Sequence, residues 1–294
     1  MSQQPAADSP TTPGLTIIGT GAVAQTLGRL FARSGVLPPR SIVSRSKDRA
    51  EALAASLREP GGLPIAAYAS LPQHLDQFVM IATPDRIIRA TADALAKRQL
   101  IGPNSVVFHL SGALGSEVLE ACAARGAATA SVHPLASFAD PADLAEKFQG
   151  VFCAVEGSVS ALESIEPALS SIGARAVRLS GGMKIAYHAG AVLASGYMVA
   201  TLGAALEALS LAGITDTHAR EMLAPLTRIS IENALRVGPR EAMTGPLVRG
   251  DDAIVRAHLD LLERHDPALA ECYRALTHFA SDLLQRVDPL RELS

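Results

Sequence analysis

Up to about residue 180 the chain alternates short apolar runs with segments whose apolar positions recur every three or four residues. The runs at 15–18, 41–44, 78–82, 105–110, 128–132, 151–155 and 174–179 predict strands. Between them, 26–33, 47–57, 87–100 and 158–171 carry helical spacing, and the proline- and glycine-bearing stretch after 57 reads as irregular. Strands and helices in strict alternation with short connections predict an α/β unit, a doubly wound, mostly parallel sheet.

Beyond Gly181 and Gly182 the pattern changes. Residues 183–211, 216–237, 253–265 and 267–286 are helix-length, Gly213, Gly238, Pro239, Gly245, Pro246 and Pro267 punctuate them, and no strand signal remains. The expected organisation is therefore a disordered tail over 1–13, a sheet domain over 14–180, and an all-helical C-terminal domain over 181–294 that serves substrate binding and dimerisation. Within the helical part, 189–206 carries no charged side chain and is long enough to span a bilayer. Its small residues, its flanking Lys184, His188 and Glu207 and its lack of a second such segment fit a helix buried in a helical bundle better than a membrane anchor.

Composition narrows the function classes. The 294 residues are 48% hydrophobic, enough for a sizeable core, and the formal charge of −3 with 4% aromatics offers neither a basic footprint nor a stacking surface for nucleic acid. Cys122, Cys153 and Cys272 are scattered and lack metal-ligand spacing, as reduced thiols of a cytoplasmic protein would be. The eight histidines show no close pairing that would hold a metal. The tail has no apolar core of a secretory signal.

The first strand runs straight into Gly19-Thr20-Gly21-Ala22-Val23-Ala24. In such a turn Gly19 permits the sharp reversal, Gly21 lets backbone N–H groups approach a pyrophosphate, and the small Ala24 lets the helix start pack on the strand. Its place between a strand and an amphipathic helix points to dinucleotide binding. At the end of the second strand, where NAD-binding sheets place a carboxylate for the ribose 2′-hydroxyl, stand Ser44, Arg45 and Ser46. A guanidinium and two hydroxyls suit a 2′-phosphate, so NADP(H) is expected ahead of NAD(H). Ala82, Thr83 and Pro84 close the strand at 78–82, where the nicotinamide-side ribose belongs.

Two constellations are placed to meet substrate. Ser111 and Gly112 follow the strand at 105–110, where a hydroxyl and free N–H groups would hold a carboxylate; a plain helix cap would read the same way. Lys184 and His188, at i and i+4 on one helical face, form an ionisable pair in an otherwise small and apolar helix. Lysine would deliver a proton to a carbonyl oxygen, with histidine orienting substrate or sharing that proton; a snorkelling lysine and a satisfied core histidine are the structural alternative. His133, at another strand end, is either a substrate contact or a turn histidine.

Taken together, Ile18–Ala24, His109–Ala113, Ser131–Pro134 with Phe138, Tyr187-His188 and Thr244–Asp251 resemble the Rossmann-like proteins whose helical C-terminal half is a domain of unknown function. These are relatives of 6-phosphogluconate dehydrogenase, pyrroline-5-carboxylate reductase and ketopantoate reductase. The resemblance implies an NAD(P)-dependent oxidoreductase, dimeric through its helical domain, with Thr244 near substrate. It also marks two departures: His188 stands where β-hydroxyacid dehydrogenases have asparagine, and Gly196 follows Ala194-Ser195 where relatives have asparagine. The expected reaction is hydride transfer to or from a small keto or imino acid with a carboxylate. A dinucleotide sensor without turnover is the reading from another class.

Overall fold

The computed structural model describes residues 13–285. The tail expected over 1–13 therefore lies almost wholly outside the described residues, as does Arg286, the last position of the helix expected over 267–286. Two compact units divide at Leu193/Ala194.

The first unit is an eight-stranded sheet in the order β3-β2-β1-β4-β5-β6-β7-β8. Its strands are β1 (Leu15–Ile18), β2 (Pro39–Val43), β3 (Ala66–Tyr68), β4 (Phe78–Ile81), β5 (Val106–His109), β6 (Ala128–Pro134), β7 (Phe152–Gly157) and β8 (Arg175–Arg178). The helices are α1 (Ala22–Ser34), α2 (Lys47–Ser56), α3 (Asp85–Lys97), α4 (Glu120–Ala123, entered through a 3-10 turn over Ser116–Leu119), α5 (Pro141–Glu146) and α6 (Val159–Ser171), with α7 (Lys184–Ala194) at the unit's end. Strands β1 to β6 pair parallel, and β7 pairs antiparallel with β6 before β8 runs parallel to it.

Alternation along each strand sends side chains to opposite faces, and both faces are covered. Leu15, Ile17, Phe78, Met80, Val106 and Phe108 share one buried cluster with residues of α1, α2 and α6. Ile18, Val79, Ile81 and Val107 join α3 and α4 in the other. The doubly wound, mostly parallel sheet is thus as the apolar pattern predicts. Strand β3 is the exception. It was hidden in the irregular stretch because it is three residues long and half exposed, held in register by Ser41–Val43 of β2 rather than by its own apolarity.

The second unit holds α8 (Gly196–Leu211), α9 (Asp216–Val237), α10 (Pro239–Ala242), α11 (Pro246–Arg249), α12 (Asp252–His265) and α13 (Pro267–Gln285). The single helix expected over 183–211 is two. Ser195 leaves helical geometry at φ −127° and ψ −80°, and Gly196, a poor helix former, follows it. The all-helical region begins at Lys184, close to the expected change at 180. The compact units nonetheless part ten residues later, because the first turns of α7 bond to the loop after β5 through Lys184 and to β6 through Tyr187.

Candidate active site

The C-terminal ends of β1 and β4 lie side by side where the chain crosses from one face of the sheet to the other, the position at which doubly wound sheets bind ligands. Gly19 ends β1 at φ +119°, donates its N–H to Val43 O at 2.9 Å, and leaves no room for a side chain. A Cβ there would enter the Ala82 carbonyl group, 2.7 Å from its carbon. Gly21 is the N-cap of α1, has no side chain to cap the helix, and faces open space. The first N–H groups of α1 are therefore left for an anion, at the positive end of the helix dipole. Thr20, Ala22 and Val23 complete this turn, which the Gln25 amide ties to Thr20 O at 3.1 Å.

Two further observations fit a dinucleotide. The Thr83 hydroxyl, between Ala82 and the N-cap Pro84 of α3, is buried with no hydrogen-bond partner, a costly arrangement that a ribose hydroxyl would relieve. Arg45 is exposed at the turn after β2 and forms no ion pair among the described residues. Ser44 accepts from Ser46 N at 3.4 Å, and Ser46 caps α2 by accepting from Arg49 N at 3.4 Å. Both hydroxyls keep their protons, so Ser44, Arg45 and Ser46 form a donor-rich turn with no carboxylate in it.

In the loop after β5, Ser111 takes the cap-like of the two arrangements its sequence allows. The Ser111 hydroxyl donates to Asp85 Oδ2 at 2.8 Å and accepts from Ala113 N and Leu114 N at 3.2 and 3.0 Å. Its one proton is spent, and a carboxylate stands behind it, so Ser111 shapes the loop and does not offer its hydroxyl to a substrate carboxylate. The N–H groups of Gly112 and Gly115, by contrast, have no acceptor among the described residues. Any carboxylate held here is held by backbone, not by Ser111.

Four residues assigned no role from sequence fix this loop. Buried His109 accepts from Ser111 N at Nδ1 (3.2 Å) and meets Gly115 O at Nε2 (3.0 Å), so it is neutral with its proton on Nε2. Burial holds it down to about 4, against the raising effect of the Gly115 bond. Asp85, Ser131 (3.2 Å to Leu114 O) and Glu156, which accepts from both Ser116 N and Ser116 Oγ, do the rest. His109 and Ser131 entered the sequence reading as the first residues of two shared motifs, and Asp85 and Glu156 needed long-range partners to be noticed.

Lys184 is 2% exposed, and its ammonium donates to Ser111 O at 2.9 Å. Burial pulls it down to about 8; Glu156, Asp85 and Glu117 oppose that shift. His188, one turn on, does not bond to Lys184. Its Nδ1 is buried without a partner and would collide with a Cβ on Gly112, and His133 Nε2 is 2.9 Å from that same Cβ position. Gly112 is thus the residue that lets both imidazoles close over the loop. Lys184, His188, Ser111, Gly112 and His133 come together in the first unit. Thr244 is an exposed residue of the second unit, just before α11.

Comparison with known proteins agrees with this architecture. Residues 3–134 match the family described as a Rossmann-like domain, and residues 151–279 match a domain of unknown function, DUF2520, which begins at β7 and takes in α6 and α7. No curated protein sequence matches the chain. Among solved structures, a provisionally assigned NADP oxidoreductase of Bacteroides fragilis superposes with a TM-score of 0.74 at 17% identity, covering 92% of this chain and 98% of that one. A protein of Thermotoga maritima does so at 0.69 and 25% identity, with 92% and 98% covered. A pyrroline-5-carboxylate reductase of Coxiella burnetii reaches 0.57 at 15% identity, with 94% and 100% covered.

Proposed function

We propose, for a chain that joins a Rossmann-like domain to a DUF2520 domain, that it is an NADP(H)-dependent oxidoreductase acting on a small keto or imino acid, or on the corresponding hydroxy or amino acid. One observation carries this reading: a buried lysine linked through Ser111 to the start of α3, beside Thr83. Asp85, two residues after the unsatisfied Thr83, bonds Ser111, and Ser111 O holds Lys184. Burying an ammonium with a single hydrogen bond is expensive, and a proton donor beside the hydride acceptor explains why it is kept.

Gly19, Gly21 and the N–H groups of α1 would hold the pyrophosphate, Thr83 the nicotinamide-side ribose, and Arg45 with Ser44 and Ser46 the 2′-phosphate. When bound, the dinucleotide supplies or accepts the hydride. Lys184, a stronger acid than an ordinary lysine yet still protonated near pH 7, gives its proton to the oxygen or nitrogen that gains charge. Gly112 N–H and His188 Nδ1 orient the substrate. The test is NADPH oxidation by the purified chain across a panel of keto acids and of cyclic and open-chain imines. Consumption with one of them supports the reading. Tight NADPH binding with no turnover anywhere favours the sensor instead.

Cofactor choice is tested separately. NADPH is expected to bind tenfold to a hundredfold more tightly than NADH, as a charge-assisted contact of about 1.5–3 kcal/mol implies, and Arg45→Asp is expected to abolish or reverse the preference. Equal affinities of the unmodified chain for the two, by fluorescence titration, would remove the 2′-phosphate from this turn.

The second unit supports a homodimer. Its fully buried apolar residues among those described are Ala219, Leu262, Leu269 and Ala270 alone, a small core for six helices. Leu235 (84% exposed), Val199 (70%), Leu226 and Ile229 stand in solvent, and an apolar groove of about 350 Å³ opens between Ala204, Ala208, Leu223, Leu269 and Leu276. The segment 184–211 is long and apolar enough to cross a membrane. Because it breaks at Ser195 into helices of 11 and 16 residues, each is shorter than the roughly 20 residues a span needs. A second copy of the chain is the occupant that fits, in a cytoplasmic protein. Light scattering at micromolar concentration is expected to give twice the chain mass; a monomer contradicts the dimer, and recovery only in membranes contradicts both statements.

A further inference from the structure

Tyr187 precedes His188 in α7, and nothing above uses its hydroxyl. That oxygen lies 2.9 Å from Nδ1 of His133, and the two rings meet edge to face with centroids 5.5 Å apart. The opposite ring nitrogen, His133 Nε2, has no partner among the described residues and faces Gly112 beside the unsatisfied Nδ1 of His188. A neutral imidazole carries one proton, so the Tyr187 bond decides whether Nε2 is a donor or an acceptor. A phenol is the stronger donor of the two groups and an unprotonated imidazole nitrogen the stronger acceptor. The O–H of Tyr187 therefore points at Nδ1, which leaves the ring proton on Nε2.

We propose that Tyr187 holds His133 as its neutral Nε2–H tautomer, so that His133 presents a hydrogen-bond donor to the reacting oxygen or nitrogen of the substrate. Tyr187 is a positioning residue, and His133 is the group that touches substrate. The inference rests on the oxidoreductase reading and gives it a division of labour: Lys184 supplies a proton, and His133 polarises the bond that accepts hydride. A neutral donor is suited to that task because it stabilises developing charge without itself adding a second cation next to Lys184. The groups around His133 keep it neutral. Burial, then Lys184 and His188, hold it down to about 4, and Asp85 works in the other direction. Burial likewise pushes Tyr187 up to about 12, so its proton stays in place.

The test is nitrogen-15 NMR of the full chain labelled at histidine, at neutral pH. The His133 signals are assigned by their loss in His133→Gln or by their contact with the Tyr187 ring. The expected spectrum shows a protonated Nε2 and a bare Nδ1. In Tyr187→Phe, which keeps the ring contact and removes only the hydroxyl, the two signals are expected to move toward the average of both tautomers. A proton on Nδ1 in the unmodified chain, or signals unmoved by Tyr187→Phe, overturns the proposal. With a substrate in hand, Tyr187→Phe is expected to lower kcat about tenfold, the loss of one hydrogen bond, with KM for NADPH unchanged; an unchanged kcat overturns the donor role. A chain with the stated tautomer that turns over nothing overturns the oxidoreductase reading and the donor role with it, while the tautomer stands.

Discussion

Replacing Lys184 with methionine is expected to lower turnover by about 10²–10⁴-fold, the usual cost of a lost general acid, while NADPH affinity stays nearly intact. Methionine fills most of the lysine's volume and removes the need to bury a charge, so the variant is expected to fold; its loss is one Ser111 carbonyl contact and the proton. The pH dependence of the unmodified chain carries the same signature. In the direction of reduction the protonated lysine is the active form, so kcat/KM is expected to be level below its pKa of about 8 and to fall as pH rises through it. In the direction of oxidation the bare amine is the active form, and the slope reverses. Full turnover in Lys184→Met, or a reduction rate that rises above pH 8, would move the proton donor to His188 or His133.

The second large effect concerns Gly19. Gly19→Ala is expected to weaken dinucleotide binding by more than a hundredfold and to lower the melting temperature. An L-residue at φ +119° is strained by about 1–3 kcal/mol, and here its Cβ also runs into the Ala82 carbonyl rather than into a side chain that could swing aside. Relief must come from parting the ends of β1 and β4, which moves the α1 N-terminus and Thr83 together. Titration with NADPH, beside a thermal melt, checks both. An affinity within threefold of the unmodified chain would show that the pyrophosphate is not held at this turn.

Much of the first unit was legible because parallel strands buried on both faces announce themselves as apolar runs, and because Gly19 and Gly21 stand at the junction of strand and helix. The reversal at β7 was not legible. Phe152–Gly157 has the same apolarity whichever way it runs, and only its pairing with Ala130–Pro134 sets the direction. The break at Ser195 left a trace in Ser195-Gly196, which the long uncharged stretch around it outweighed. At the site, Lys184, His188, Gly112 and His133 were found because their chemistry is unusual for their surroundings. Asp85 and Glu156 were not, because acidic side chains near helix starts and strand ends are common, and Tyr187 entered only as part of a shared motif with no role of its own. For Ser111 the sequence left a carboxylate contact and a helix cap equally open, and what separates them is Asp85, a partner 26 positions earlier in the chain that takes the hydroxyl's proton.

The way that loop is held has a dynamic consequence. From Ser111 to Ser116 it is bonded to β5 through His109, to α3 through Asp85, to β6 through Ser131, to β7 through Glu156 and to α7 through Lys184. A segment anchored to five separate elements has little conformational entropy left to lose when a ligand arrives, and its bonded amides, those of Ser111, Ala113, Leu114 and Ser116, exchange with solvent only when much larger pieces of the unit open. It is a fixed wall and not a lid. Whatever admits substrate and releases product, and with it the slow step of a cycle limited by such motion, belongs to a part of the chain other than this loop.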